Sequence, residues 1–441
     1  MAGPNWDTAA ARRYHEGTKH SYESVRRGAR PLDWANRPHP FKDYVGLEPE
    51  PLPPGELGWL LRWGAGVART RSYGADTYHF RTYSSAGALY PVEVYVADRR
   101  GLWHFHPLER ALRRLRDVDV RSRLADAETV VVLTGILWRT AWKYGTRGYR
   151  HLFWDAGTML ANLLELAGAV GIEAHVVTGF VDADVNHVVG VDGEREAALA
   201  LLALSSDPGL PRVERLPRLE LAAEPLSRHE GSCPEAQALH EASSLATVEE
   251  VRRYQEPQPE AGRIGLSREE LERVLRRRGS VREFALEAVP AGELSAILAG
   301  AEAPVAADVP AACELYVIAS GVEGLAPGAH RFEPPDRFEL LRAGTFRAQA
   351  GYLALEQPLG ARAAATCFFL ADLDEVLERH GNRGYRAAQL EGGIRTGRIY
   401  LGAVARGLGV TASTFYDDEV TAFFAPGTPK APLLCAAIGR G

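Results

Sequence analysis

The sequence RGYR at Arg147–Arg150 occurs again at Arg383–Arg386, 236 positions later (383 − 147). Gly157 and Gly393 stand at the same spacing. Further matches keep their order along the chain while the spacing drifts: PxGEL at 53–57 and 290–294, ExYV at 93–96 and 314–317, and FxP at 105–107 and 332–334. Insertions between two related copies produce such a drift. The sequence therefore predicts a duplicated domain.

Each copy has the mixed pattern of an α+β domain. Apolar residues at helical spacing predict a helix over Asp155–Val170 in the first copy and over Glu391–Arg406 in the second. Shorter helices are predicted at Glu56–Arg62 and Glu293–Leu298. Apolar runs predict buried strands at Val92–Ala97, Thr129–Leu133, Ala174–Phe180, Leu315–Ala319, Thr366–Leu370 and Thr411–Tyr416.

The repeat divides the chain into four parts. We predict an N-terminal arm at residues 1–50, a first domain at 51–205, a linker at 206–265 and a second domain at 266–441. The linker is rich in Pro, Glu and Ser, with some helix around Glu235–Tyr254. The first copy carries an insertion between Leu61 and Glu93, which includes Arg69–Tyr83.

Composition excludes several classes of protein. The formal net charge of −6 gives no reason to expect a nucleic-acid partner. The four cysteines are far apart and lack C-x-x-C spacing, which argues against a zinc site or a disulfide scaffold and fits a reducing cytoplasm. Neither a signal peptide nor an apolar run long enough to span a membrane is expected.

The stretch SSAGALYPVEVY at 84–95 combines small residues, a proline and a strand-like run. A segment without bulky side chains allows backbone N–H groups to approach a planar ligand closely. The same composition is also typical of a simple turn before a buried strand. From the residues alone, both interpretations stay open.

Four stretches carry a resemblance to a known family. They are RxxxSAGALYPxE at 81–93, GLWHF at 101–105, KYxxRGYR at 143–150 and RRGSVREF at 277–284. Together they resemble the flavin-dependent nitroreductase superfamily, in particular its SagB-type branch of thiazole/oxazole-forming dehydrogenases. The last stretch is similar to the superfamily's Arg-Arg-Ser-x-Arg flavin motif with one Gly inserted. The resemblance covers most of both copies, but not residues 14–40 or the linker.

This resemblance implies a mixed sheet wrapped by helices, and a homodimer that binds FMN between its subunits. The Arg/Ser motif of one subunit then holds the ribityl and phosphate groups, because a phosphate dianion favours guanidinium donors. The loop of small residues from the other subunit packs on the isoalloxazine ring. The implied cofactor-binding residues of this copy are Arg81 and, on the ring side, Ser84, Ser85, Ala86, Gly87, Ala88 and Leu89.

The two copies retain complementary halves of such a site. The second copy has Arg278, Ser280 and Arg282, where the first has KDYV at 42–45. The first copy has the small-residue loop, where the second has APVAADVPAA at 303–312. We therefore predict an internal pseudo-dimer with one complete FMN site and a degenerate second one, with Arg440 near the phosphate. A further homodimer is compatible with this. Alternatively, the basic run at 276–278 is only a solvated helix end.

Lys143 and Tyr144 are the predicted catalytic residues, since the resemblance associates a Lys-Tyr pair with proton abstraction during hydride transfer. A desolvated lysine can act as a base near neutral pH. The second copy has Arg379-His380 in their place. Alternatively, Lys143 is an ordinary surface residue. We see no metal-ligand spacing in the sequence.

The resemblance implies an FMN-dependent dehydrogenase that oxidises a small-molecule or peptide-derived substrate, such as an azoline ring, with dioxygen restoring the flavin. A cyclodehydratase or a peptide-binding protein is the implied partner. Two alternatives stay open: an NAD(P)H-dependent nitro or quinone reductase, and a non-catalytic flavin-binding scaffold. Oxygen consumption, flavin bleaching by NAD(P)H, or neither would distinguish the three.

Overall fold

The computed structural model describes residues 3–28, 31–74, 76–207, 210 and 215–441. Residues 208–209 and 211–214 of the predicted linker lie outside this range, as do residues 29–30 of the arm and residue 75 of the insertion.

The first half contains helices and strands in a mixed order. Its helices are α1 (Ala9–Gly17), α2 (Tyr22–Arg27), α3 (Glu56–Gly64), α4 (Leu137–Tyr144), α5 (Gly148–Ala169) and α6 (Asp182–Val189). Its strands are β1 (Pro49–Pro51), β2 (Val67–Tyr73), β3 (Asp76–Arg81), β4 (Val92–Asp98), β5 (Gly101–His106), β6 (Ala111–Arg116), β7 (Ala127–Ile136), β8 (Ala174–Val177) and β9 (Glu196–Ser206).

The second half repeats this composition. Its helices are α7 (Pro234–Ala242), α8 (Val248–Tyr254), α9 (Arg268–Arg277), α10 (Ala291–Ala301), α11 (Arg347–Leu353), α12 (Pro358–Arg362), α13 (Leu373–Ala405) and α14 (Asp417–Phe424). Its strands are β10 (Val289–Pro290), β11 (Cys313–Ala319), β12 (Val322–Glu323), β13 (Gly328–Glu333), β14 (Arg337–Ala343), β15 (Ala365–Asp372), β16 (Gly409–Ser413) and β17 (Lys430–Gly439).

Two main sheets have corresponding strand orders. The first is β1-β6-β5-β4-β7-β9-β8, and the second is β14-β13-β11-β15-β17-β16. Neighbouring strands in both sheets run antiparallel. The central strands β4 and β15 are almost wholly buried, because helices cover the faces of each sheet. The predicted α+β fold of two tandem domains is confirmed.

The two halves join where α5 and α13 cross. A Cβ atom on Gly157 would lie 2.3 Å from the carbonyl oxygen of Leu390, and one on Gly393 would lie 2.5 Å from that of Trp154. Adding or subtracting 236 from the residue numbers converts each of these two contacts into the other. The crossing is therefore a pseudo-twofold axis, and both matched glycines are needed for the close approach of the helices.

Buried ion pairs also exchange between the halves. Asp417 of α14 contacts Arg147 and Arg150 at 2.9 Å each. In the other direction, Asp182 of α6 contacts Arg383 at 2.5 Å and Arg386 at 3.2 Å. The RGYR repeat therefore supplies each half with arginines whose acid partner belongs to the other half. A buried charge without such a partner would be strongly destabilising.

The arm and the linker make equivalent contacts as well. His15 of α1 lies 3.4 Å from the hydroxyl of Tyr385, while His240 of α7 lies 3.1 Å from the hydroxyl of Tyr149. Each helix therefore packs on the long helix of the opposite half. No helix in the described part of the chain is both long and apolar enough to cross a membrane.

Candidate functional site

The small-residue loop at 84–89 connects β3 to β4 and is held on α5 by Asp155. The carboxylate of Asp155 accepts hydrogen bonds from the Ser85 hydroxyl and, at 3.1 Å, from the backbone N–H of Ala86. Backbone φ angles of 62° at Gly87 and 52° at Ala88 turn the loop outward. Its tip is exposed at Gly87 and its base is buried at Leu89.

Lys143 and Tyr144 lie against this loop. They end α4, and Gly145 follows with a φ of 57°, a backbone conformation that glycine adopts without a steric penalty. A Cβ atom on Gly87 would lie 2.8 Å from the Tyr144 hydroxyl and 3.1 Å from the Lys143 ammonium. A side chain at position 87 would therefore displace the ends of the Lys-Tyr pair.

Positive charges from both halves surround Lys143. Partial burial lowers the pKa of Lys143, and the nearby Arg37 and Arg282 lower it further. Arg37 belongs to the arm and Arg282 to the second half. Among the described residues, none of these three cations forms an ion pair with a carboxylate. The surface around Lys143 therefore favours an anionic ligand.

The basic motif of the second half lies near Lys143, since Arg282 acts on its pKa. Val281 donates a backbone hydrogen bond of 3.1 Å to Val410 in β16, so the motif extends the sheet. The exposed hydroxyl of Ser280 lies 2.8 Å from that of Tyr400. A Cβ atom on Gly441 would lie 2.9 Å from Val281, which puts the C-terminus and Arg440 beside the motif.

Two predicted cofactor-binding residues have other roles in the structure. Arg278 is buried and donates to the carbonyl oxygens of Thr82 at 2.7 Å, Tyr83 at 2.8 Å and Arg81 at 3.0 Å. The guanidinium of Arg81 is also buried and donates to Pro40 and Val92. The guanidinium groups of both arginines donate to backbone carbonyls next to the loop, which restrains its ends. Both arginines thereby hold the backbone at the ends of the loop.

The comparisons agree with this architecture. A family model described as "Nitroreductase family" matches two segments of the chain, residues 46–204 and 275–440. The chain belongs to the nitroreductase family. A crystal structure of a nitroreductase-family protein from Anabaena variabilis superposes with a TM-score of 0.81 and 25% identity, over 98% of this chain and 99% of that one. The tandem arrangement is therefore shared along the whole length.

Two curated relatives match single parts of this nitroreductase-family chain. MJ1384, a nitroreductase-family protein of Methanocaldococcus jannaschii, is 29% identical over 157 residues, which is 32% of this chain and 76% of that protein. The microcin B17-processing protein McbC of Escherichia coli is 27% identical over 140 residues, 27% of this chain and 52% of McbC. The chain thus spans about half the length of McbC, and the match agrees with the SagB-type resemblance.

Sequence reasoning missed two buried residues of this nitroreductase-family site. Burial raises the pKa of Asp155 to about 7, despite its hydrogen bonds to the loop. His151 lies one turn earlier on α5, with ring centroids 4.2 Å from Tyr144 and 4.6 Å from Trp154. Its Nδ1 has no hydrogen-bond partner among the described residues. The sequence does show that His151 and Asp155 are polar and stand one helical turn apart on a mostly apolar helix, and this spacing could have identified them.

The insertion of the first copy also reaches this site. It forms the β2–β3 hairpin, and Arg69 donates a 2.8 Å hydrogen bond to the carbonyl of Arg278. A Cβ atom on Gly279 would lie 2.5 Å from the Arg69 guanidinium, so the inserted Gly of the basic motif makes room for it. The hairpin thus adds a cation beside the motif.

The corresponding place in the second half is built differently. Glu391 replaces Asp155 and accepts the backbone N–H of Ala312 at 2.7 Å. Residues 303–312 pair with β8, where Val176 donates to Ala306 at 2.9 Å. The carboxylate of Asp308 accepts the backbone N–H groups of Thr178 and Gly179. In the second half, therefore, residues 303–312 and the acidic Asp308 lie along β8. At the first site, the basic motif lies along β16 instead.

The residues of the first site fit FMN. Arg37 of the arm and Arg282 of the second half, which form no ion pair among the described residues, suit its phosphate, and the exposed Gly87 allows close approach of a flat ring. The place in the second half, with Asp308 along β8, does not suit a phosphate dianion.

Proposed function

We propose that this nitroreductase-family protein is an FMN-dependent oxidoreductase of the SagB type, with one flavin site per chain. The observation that most directly supports this proposal is that Lys143 and Tyr144 of the first half contact the Gly87 loop near Arg282 of the second half. Arg282, Ser280 and Arg440 would hold the ribityl phosphate. Residues 84–89 would lie against the ring. Bound FMN would supply the acceptor for a hydride from the substrate, with dioxygen as the final electron acceptor.

Lys143 acts as the base in this proposal. Its pKa is lowered by partial burial and by the neighbouring Arg37 and Arg282, so a larger fraction is neutral amine at a given pH than for an ordinary lysine. The neutral amine accepts the proton that leaves the substrate carbon as the hydride departs from the adjacent atom. The substrate thereby loses two electrons and two hydrogens, and a double bond forms.

Tyr144 orients the substrate or relays this proton. Burial raises the pKa of Tyr144, which keeps its hydroxyl protonated and able to donate a hydrogen bond. Asp155 holds the loop in place through Ser85 and Ala86. These contacts fix the position of Gly87 against the Lys-Tyr pair, and positioning of this kind lowers the cost of reaching the reactive geometry.

The proposed substrate is a peptide- or amino-acid-derived ring such as an azoline. The match to McbC, a microcin B17-processing protein, supports a peptide substrate, and a cyclodehydratase is the partner that would make such a ring. Oxidation of an azoline requires both proton removal and hydride transfer, and Lys143 beside the Gly87 loop is suited to the first.

The test compares Lys143→Ala with Arg379→Ala, its counterpart in the second half. Both variants are assayed with a thiazoline-containing peptide, and bound FMN is measured by absorbance. We expect Lys143→Ala to retain FMN and lose substrate-dependent oxygen consumption, while Arg379→Ala keeps both. In the wild type, the oxidation rate should rise with pH, with a midpoint at a pKa below that of a free lysine. In Lys143→Ala this rise with pH should be absent.

Unchanged turnover in Lys143→Ala would remove the lysine from the mechanism. Rapid bleaching of the flavin by NAD(P)H, without oxidation of the thiazoline, would instead favour a reductase. Two FMN molecules bound tightly per chain would contradict the single site.

A further inference from the structure

The ring of Tyr144 packs on a column of side chains that continues into the second half. Its centroid lies 4.2 Å from that of His151, and the His151 ring stacks on Trp154 at 4.6 Å with an angle of 25° between the planes. The indole N–H of Trp154 donates a 2.7 Å hydrogen bond to the side-chain oxygen of Gln389 in α13. We call these four residues the Tyr144 column.

Only the Tyr144 end of the column reaches the candidate site. His151 is 3% exposed, Trp154 is 5% exposed and Gln389 is fully buried, whereas Tyr144 retains some exposure. A Cβ atom on Gly87 would lie 2.8 Å from the tyrosine hydroxyl. The tyrosine ring is therefore supported by side chains that are fixed in the close-packed interior, while its hydroxyl lies at the loop.

His151 takes part in this column as a neutral ring. Burial lowers the pKa of His151 well below its usual range, and the nearby Arg147 and His20 lower it further. An uncharged ring stacks on both of its neighbours without the cost of burying a charge. His151 also lies one helical turn before Asp155, which holds the Gly87 loop. Successive turns of α5 therefore support the tyrosine and anchor the loop.

The second copy has no such column. At the 236-residue spacing, the counterparts of Tyr144, His151 and Trp154 are His380, Ala387 and Leu390. The repeated helix therefore forms without a histidine or a tryptophan at these positions, so the fold of the repeat does not require them. The column occurs in the half that carries the Lys-Tyr pair, which argues for a role at that pair.

We propose that His151 is a positioning residue for Tyr144: its ring, backed by Trp154, holds the tyrosine hydroxyl against the Gly87 loop. The effect on turnover rests on the function proposed above, whereas the restraint on the tyrosine ring does not. A side chain that is fixed before the substrate arrives loses less conformational freedom during the reaction. A displacement of about 1 Å at a reacting group can slow catalysis about a hundredfold.

The kinetic test compares His151→Ala, which introduces the residue of the second copy, with His151→Phe, which keeps a ring. With a thiazoline-containing peptide, His151→Ala should lower kcat about ten- to hundredfold and change KM by less than about twofold. His151→Phe should restore most of the kcat. Bound FMN per chain, measured by absorbance, is the folding control and should match the wild type in both variants.

His330→Ala is the matched control variant. His330 is similarly buried and packs on the ring of Phe338 in the second sheet, away from the column. Its substitution should leave kcat and KM at the wild-type values.

A second measurement needs no substrate. The two fluorines of 3,5-difluorotyrosine at position 144 give separate NMR lines when the ring is held and one averaged line when it turns freely. We expect two lines in the wild type and in His151→Phe, and one line in His151→Ala.

One averaged line in the wild type, or two lines in His151→Ala, would overturn the proposal. So would an unchanged kcat in His151→Ala when Lys143→Ala is inactive. If the wild type oxidises no thiazoline, the proposed function fails, and the fluorine spectra alone decide whether His151 holds Tyr144.

Discussion

Two adjacent glycines of α13 should respond to alanine in opposite ways. Gly393 lies at the helix crossing, where a Cβ atom would be 2.5 Å from the carbonyl oxygen of Trp154 and 3.0 Å from Cα of Gly157. Gly392 faces the second sheet, where a Cβ atom would be 3.4 Å from Cβ of Leu433. The first contact is with the backbone of α5, which cannot rotate away, while the second is an ordinary van der Waals contact.

The expected free energies follow from these distances. Alanine in place of glycine in a helix interior gains about 1 kcal/mol in both variants. In Gly393→Ala the two helices must also separate, and overpacking of this kind costs about 1–3 kcal/mol or more. We therefore expect Gly392→Ala to raise the free energy of unfolding by up to about 1 kcal/mol. Gly393→Ala should lower it by up to about 2 kcal/mol, once its helix gain is subtracted from the overpacking cost.

Urea denaturation followed by circular dichroism measures both variants under identical conditions. The FMN content of Gly393→Ala should also fall, because the crossing sets the distance between the two halves of the site. If Gly393→Ala were as stable as Gly392→Ala, the close crossing of α5 and α13 would be refuted.

The remaining predictions concern single side chains. Arg282→Ala should lower the FMN bound per chain, measured by absorbance, whereas Arg276→Ala on the exposed face of α9 should not. Arg278→Ala should lower the free energy of unfolding by about 3 kcal/mol in urea, since three buried hydrogen bonds of about 1 kcal/mol each are lost. The pKa of Asp155 is about 7 in the fold and about 4 when unfolded, so its contribution to wild-type stability should fall by about 4 kcal/mol as the pH rises from about 3 to 8. Asp155→Asn should lack this component; an identical pH dependence would contradict the assignment.

The sequence was sufficient to predict the duplication, the long helices and the central strands. Periodicity and the RGYR repeat are local signals, and the structure places strands β4, β7, β11 and β15 over the predicted runs. The equivalence of the arm with the linker was missed, because only the packing of α1 and α7 on opposite halves reveals it.

The site was predicted less completely, for a physical reason. Whether an arginine faces a ligand or a carbonyl depends on the distant chain around it, and motif spacing carries no such information. Arg278 is an example, since its three acceptors lie about two hundred residues earlier in the chain. The pKa of Asp155 likewise depends on burial, which composition does not specify.

The exchanged ion pairs of Asp182 and Asp417 have a consequence for how such a chain can change over time. In a homodimer, every substitution appears twice, so an altered residue in one site is also altered in the other. Covalent fusion removes this restriction, while the shared acids keep the halves obligatorily together. One half is then free to lose a basic motif and the other a glycine loop. The two halves of this molecule can therefore differ from each other, which the identical subunits of a homodimer cannot.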